Sequence, residues 1–156
     1  MALIYLDTCC LNRPSDDQRQ PRIRLEAEAV LALIASVRRG TGVEWLGSAV
    51  VRTEAERTPD PERRARSLAL LEAATRWAFV EPGDVARAIS LTGVTGFSTF
   101  DALHVAVAER GGADVLLTTD DGLVRRAARH PGALRVPVEN PIVWIARTFP
   151  EYGDDR

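Results

Sequence analysis

The chain has 156 residues, 46% of them hydrophobic and 27% charged, with a formal charge of −2. That balance describes a globular chain with one sizeable core and does not advertise a nucleic-acid binder. All 20 basic residues are arginine, which reads as a genome bias, yet it removes chemistry that needs a lysine ammonium, such as a P-loop or a Schiff base. No apolar run is long enough to span a bilayer and no charged-then-apolar leader precedes Ala2, so a cytoplasmic location is expected. Cys9 and Cys10 are adjacent, which suits buried thiols better than a disulfide; with His104 and His130 they lack the spacing of a zinc site.

In chain order, Ala2–Leu6 reads as a short apolar strand ended by Asp7, followed by a polar, turn-rich stretch to Gln20. Ile23, Ala27, Val30, Ile34 and Val37 mark an amphipathic helix over Arg22–Arg39, with Arg22/Glu26 and Arg24/Glu28 as surface ion pairs. Gly40 and Gly42 lead into a strand at Val43–Leu46, and Ser48 can cap a helix reaching about Thr58. Asp60-Pro61 starts another helix to about Arg76, and Trp77–Val80 is a strand or an apolar connection. A short helix over Gly83–Leu91 and a loop over Thr92–Ser98 precede the most informative stretch, Phe100–Asp121. There a helix, a Gly-Gly turn and the apolar run Val115–Leu117 end on Asp120 and Asp121. A helix to Arg129, a strand over Leu134–Val138 and a helix begun by Asn140-Pro141 complete the chain. Alternating strands and helices predict one α/β domain with a mostly parallel sheet, spanning 1–150, and a polar tail at 151–156.

Four carboxylates stand out. Asp7 and Asp120 each follow an apolar strand, so right-handed connections bring both to the carboxyl edge of the sheet, where such folds bind ligands. Asp101 lies in the first turn of a helix, in line with His104, Val105 and Ala108, although Ser98-Thr99-Phe100-Asp101 also fits a capping box. Glu54 stands on the apolar side of its helix with Val50 and Val51, and Arg57 or Arg52 could be the partner that permits its burial. Each acid alone has a structural explanation. Four on separate elements favour a shared cation, and oxygen-only ligands select Mg²⁺ or Mn²⁺, the setting of metal-assisted phosphodiester hydrolysis.

With these residues in order, the chain resembles a PIN domain, and more narrowly the VapC-like ribonuclease toxins. The matching pieces are Ile4–Thr8 (IYLDT), Ser48–Glu54 (SAVVRTE), Asp101–Ala108 (DALHVAVA), Leu116–Asp120 (LLTTD) and the late Asn140-Pro141. The resemblance implies a three-layer α/β/α fold and a divalent-metal endoribonuclease. It implies Asp7, Asp101 and Asp120 as metal ligands (Asp121 as the alternative), Glu54 as the residue that orients a water, and Thr8 and Thr118 as supporting hydroxyls. Cys9-Cys10 departs from relatives that carry a polar residue after the Asp-Thr pair, and Asp121 doubles the final acid. The resemblance also implies an RNA substrate, a homodimer and a small antitoxin, for which the helices Ser48–Thr58 and Asp60–Arg76 offer Val50, Val51, Leu68 and Leu71 as a clamp or simply as core.

Arg13, Arg19, Arg22 and Arg24 share the sheet edge with Asp7. They either engage phosphates or are neutralised by Asp16, Asp17, Glu26 and Glu28. A catalytically silent PIN-like binding module and a non-toxin RNA-processing nuclease are the alternatives. A phosphoaspartyl enzyme is disfavoured because Asp7-Thr8-Cys9 and the absence of lysine break its pattern.

Overall fold

The computed structural model describes residues 1–150, and the tail expected at 151–156 lies outside the described residues. Five strands form one all-parallel sheet: β1 (Ala2–Leu6), β2 (Val43–Ser48), β3 (Arg76–Ala78), β4 (Val115–Leu117) and β5 (Val138–Glu139), in the order β3-β2-β1-β4-β5. The chain runs outward from β1 to β3, then crosses back to β4 and β5. The order therefore reverses between β1 and β4, which opens a crevice beyond their carboxyl ends. Ile4, Leu6, Leu116 and Leu117 are fully buried on the central strands, as expected for a sheet covered on both faces.

Eight helices cover it: α1 (Thr8–Asn12), α2 (Pro21–Arg39), α3 (Ala49–Glu56), α4 (Pro61–Leu71), α5 (Pro82–Thr95), α6 (Thr99–Arg110), α7 (Asp121–Arg129) and α8 (Pro141–Thr148). The predicted stripe on α2 is the buried one, and Gly40 ends this helix in the left-handed region at φ 68°. Ser48, Asp60, Ser98, Asp120 and Asn140 each accept a backbone N–H at the start of their helices, so the cap residues visible in the sequence mark real boundaries.

Four details differ from expectation. The polar stretch after β1 contains α1 and a 3-10 turn at Arg13–Ser15, because Cys10 and Leu11 are core residues and Asp7 caps them. Helix α5 continues through Gly93 to Thr95, held by the burial of Leu91 and Thr95. Strand β5 is only Val138–Glu139. Pro137 accepts from Leu116 N at 2.9 Å but has no N–H to extend the ladder toward Leu134. Helix α4 stops at Leu71, and Thr75 turns back to accept from Trp45 N at 2.9 Å ahead of β3.

Val50, Val51 and Leu71 belong to the core, so these three side chains pack inward and offer no open clamp, while Leu68 is half-buried. Glu26 is likewise misread from the sequence as a surface partner. It is fully buried and takes Arg13 Nε at 3.0 Å, Arg22 Nε at 3.6 Å and Asn140 Nδ2 at 2.6 Å. Arg24 and Glu28 are both exposed, and no ion pair joins them among the described residues. No helix among the described residues is long and apolar enough to cross a membrane.

Candidate active site

The central strands deliver two acids to the crevice. Asp7 follows β1 directly, and its N–H continues the ladder to Leu117 O at 3.2 Å. Its Oδ1 accepts from Cys10 N at 3.1 Å, capping α1, and the residue is 3% exposed. Burial is the main influence on this carboxyl and pushes it up to about 6. His104, Thr118 and the Cys10 amide pull it down, and Asp101 pushes it up again. No arginine pairs with it among the described residues.

Asp120 follows β4 after Thr118-Thr119. Its Oδ1 accepts from Gly122 N at 2.9 Å and Leu123 N at 3.3 Å, capping α7. Buried Thr118 joins the two strand ends: its hydroxyl accepts from Asp120 N at 3.1 Å and also lowers Asp7. Asp121 turns away and pairs with Arg22 on the solvent side, where its carboxyl is held below the usual range. Asp120, not Asp121, raises Asp101 and Cys9.

Asp101 sits in the first turn of α6, where the Ser98 hydroxyl accepts its N–H at 3.2 Å. The reciprocal half of the expected capping box is not formed, so this carboxylate is not consumed by the Ser98 amide. Burial raises it; the Ser98 hydroxyl and His104 lower it, and Asp120 and Glu54 raise it further. Glu54 projects from α3 with its side chain 33% exposed. Its partner is neither Arg57, which lies over the Phe100 ring, nor Arg52, which lies over Trp77. It is His104, whose Nε2 stands 2.9 Å from Glu54 Oε1. Burial works against the Glu54 charge, but His104 and Thr8 outweigh it and hold the carboxyl below its ordinary range.

Cys9 reads the whole arrangement. Partial desolvation of its sulfur pushes the thiol up, and then Asp7, Asp120, Glu54 and Asp101 all add to that rise. Four carboxylates therefore all bear on one residue of α1. Among the described residues, no three acidic, histidine or cysteine side chains already stand at the spacing of a closed metal shell. The four carboxylates influence one another electrostatically without forming such a shell. Thr8 Oγ1 beside them is buried without a hydrogen bond of ordinary geometry.

Of the arginines, Arg13 is bound to Glu26 and to Asp16 at 2.9 Å, and Arg19 makes two hydrogen bonds to Asp17 on the open surface. Arg22 holds Asp121 and Glu26, and Arg24 is exposed outside any ion pair among the described residues. Tyr5 and His104 are the residues the sequence did not offer as site members. A buried histidine in an apolar stripe, four residues from the Arg/Phe-facing turn of its helix, gives no signal of its partner on another helix.

This crevice of strand-end and helix-borne acids, on a sheet whose strand order reverses beside β1, defines a class. The PIN domain profile matches residues 4–129, and the chain belongs to the PIN domain family, whose nucleases generally use a divalent metal. Its fold is similar to VapBC-1 from nontypeable Haemophilus influenzae, with TM-score 0.55 and 14% identity over 90% of this chain and 98% of that one. It is also similar to VapBC2 from Rickettsia felis, solved bound to a DNA fragment from their promoter, with TM-score 0.54 and 14% identity over 88% of this chain and 98% of that one. No curated protein sequence matches it.

Proposed function

We propose that residues 1–150 form one PIN domain acting as a divalent-metal-dependent endoribonuclease that hydrolyses RNA phosphodiester bonds, and that the protein is the toxin of a toxin–antitoxin pair. The observation that carries this reading is Asp7: a buried carboxylate at the strand crossover, raised by burial, facing other acids and, among the described residues, paired with no arginine. A fold gains nothing from such a group, whereas a bound cation would offset both the burial and the repulsion.

The donor set fits Mg²⁺ or Mn²⁺. It is all oxygen, open, and assembled from a few carboxylates, as suits an ion that keeps several of its waters. Asp7, Asp101 and Asp120 would hold it. Bound there, the ion supplies charge neutralisation at the phosphate and an acidified water. The chain's own residues do the rest. Thr118 fixes the ends of β1 and β4 so that Asp7 and Asp120 keep their separation. Glu54 has Oε1 tied to His104 and offers Oε2 to orient the attacking water and accept its proton. Arg24 brings an unpaired fork for a phosphate, while Arg13, Arg19 and Arg22 would have to exchange a carboxylate for one. An antitoxin partner, a homodimer and a cytoplasmic location belong to the same reading, and the VapBC neighbours support the partner.

The test is cleavage of a structured RNA with Mg²⁺, with Mn²⁺ and with EDTA. Cutting is expected with either metal and should stop in EDTA. Asp7→Asn or Asp101→Asn should lower the rate by about 10³-fold, several kcal/mol of barrier. Persistence in EDTA rejects the metal mechanism, and a folded parent that never cuts is a binding module. Growth arrest on expression, relieved by the adjacent small gene, separates a toxin from a housekeeping nuclease.

A further inference from the structure

Glu54 is the end of a line of side chains drawn from four elements, buried up to its last member. Val51 N–H donates to Ser48 Oγ at 3.1 Å, and Ser48 Oγ lies 2.8 Å from Tyr5 Oη. Tyr5 Oη lies 2.6 Å from His104 Nδ1, and His104 Nε2 lies 2.9 Å from Glu54 Oε1. Tyr5, Ser48 and His104 are at most 1% exposed, so each polar hydrogen needs an acceptor within the line.

One direction satisfies them all. Ser48 Oγ accepts the Val51 amide and donates its own hydrogen to Tyr5. Tyr5 donates to Nδ1, the ring proton sits on Nε2, and Nε2 donates to Glu54. Run the other way, with the proton on Nδ1, Tyr5 donates to Ser48 and the Ser48 hydrogen is left without an acceptor among these partners. Tyr5 carries a phenolic hydrogen, so beside a bare Nδ1 it is the donor. Glu54, held below its ordinary range, stays an acceptor. The core has no need of such a line. A Phe and a Leu would fill the space of Tyr5 and His104 without desolvating two polar groups, and Ser48 would still cap α3.

We propose that Tyr5 and His104 are positioning residues of the nuclease site: with Ser48 they lock the Nε2–H tautomer, pin Oε1 of Glu54 and leave Oε2 as the oxygen presented to the attacking water. This rests on the role given to Glu54 above. A glutamate on a helix surface has several rotamers, and a carboxylate that must meet one water in one orientation gains rate by losing that freedom.

Two measurements test it together. Side-chain ¹⁵N–¹H spectra of the metal-free parent read the tautomer directly and need no activity: His104 should show a protonated Nε2 and a bare Nδ1, and Tyr5→Phe should mix the tautomers. Initial rates on a fluorescent RNA hairpin in Mn²⁺ are then compared for Tyr5→Phe, His104→Gln, Glu54→Gln and the double variants. Tyr5→Phe, which keeps the ring and its packing, and His104→Gln should each lower kcat by about 10- to 100-fold with KM little changed. Neither should lower it further in the Glu54→Gln background, because each acts through Glu54. A protonated Nδ1 in the parent overturns the proposal. So does an unchanged kcat in Tyr5→Phe, or losses that multiply with Glu54→Gln, which mark a merely structural role. If Glu54→Gln alone cuts like the parent, the role of Glu54 fails instead. If the folded parent does not cut at all, the nuclease reading fails, with the positioning role that depends on it, and the spectra still decide the tautomer.

Discussion

Among the described residues, three acidic residues are at most 3% exposed, and two of them are unlike the third. Glu26 is clasped by Arg13, Arg22 and Asn140, tying α2 to the 3-10 turn and to the start of α8. Asp84 receives Arg110 Nε at 2.9 and 3.1 Å and accepts from Glu81 N at 2.8 Å, closing a capping box. Asp7 has one backbone amide, a nearby threonine and other acids for company. Burial alone therefore does not set Asp7 apart. The lack of an arginine partner among the described residues does. Glu26 and Asp84 have their counter-charge built into the chain, and Asp7 has a place for one.

The largest consequence falls on Glu26. Glu26→Ala should cost about 3–5 kcal/mol, the range for breaking a buried ion pair, toward its lower end because Arg13 keeps Asp16 and Arg22 keeps Asp121. Urea unfolding measures it. A loss below about 1 kcal/mol would erase the contrast, making Glu26 no more structural than a surface acid.

Asp7 should behave in the opposite sense, and pH shows the sign. Its folded carboxyl, raised to about 6 from an ordinary 3.8, contributes stability that is complete below about pH 4 and lost as pH rises through about 6. In metal-free buffer the parent should thus fall behind Asp7→Asn as pH rises, by up to about 3 kcal/mol at neutral pH. Glu54 is lowered and works the other way, losing its contribution as pH falls, but it is common to both proteins and drops out of the difference. Parallel stability curves from about pH 5 to pH 8 would show that Asp7 is already compensated.

How much of this contrast could be read from the chain follows from distance along it. Asp7 and Asp120 were legible because each sits at the end of an apolar run, and strand-to-edge geometry is a local inference. Glu54 is legible as a half-buried acid from Val50 and Val51 beside it. Its partner is not, since His104 is 50 positions away on another helix. Glu26 was misjudged for the same reason. Arg22 at i−4 offers an obvious local pair, while Asn140, 114 positions on, shows that position 26 faces inward. Helix α1 escaped notice because five residues are too few to display a period, and β5 shrank because one proline denies the ladder a donor.

The smallest expected effect separates the two kinds of acid most directly. A cation that binds only the folded protein stabilises it by mass action, about 1.4 kcal/mol when Mn²⁺ is tenfold above its dissociation constant. The gain should appear as a rise in Tm for the parent. Asp7→Asn removes one ligand and should show little of that rise. Glu26→Gln keeps the shape of the side chain and lies outside the cluster, so it should melt earlier than the parent yet gain as much from Mn²⁺. The two variants thus dissociate baseline stability from metal response: one starts at least as stable and responds weakly, the other starts lower and responds fully. Equal Mn²⁺ shifts in the parent and Asp7→Asn would remove Asp7 from the cation site. A shift lost in Glu26→Gln would show that the α2 network and the acidic crevice are one electrostatic unit and not two.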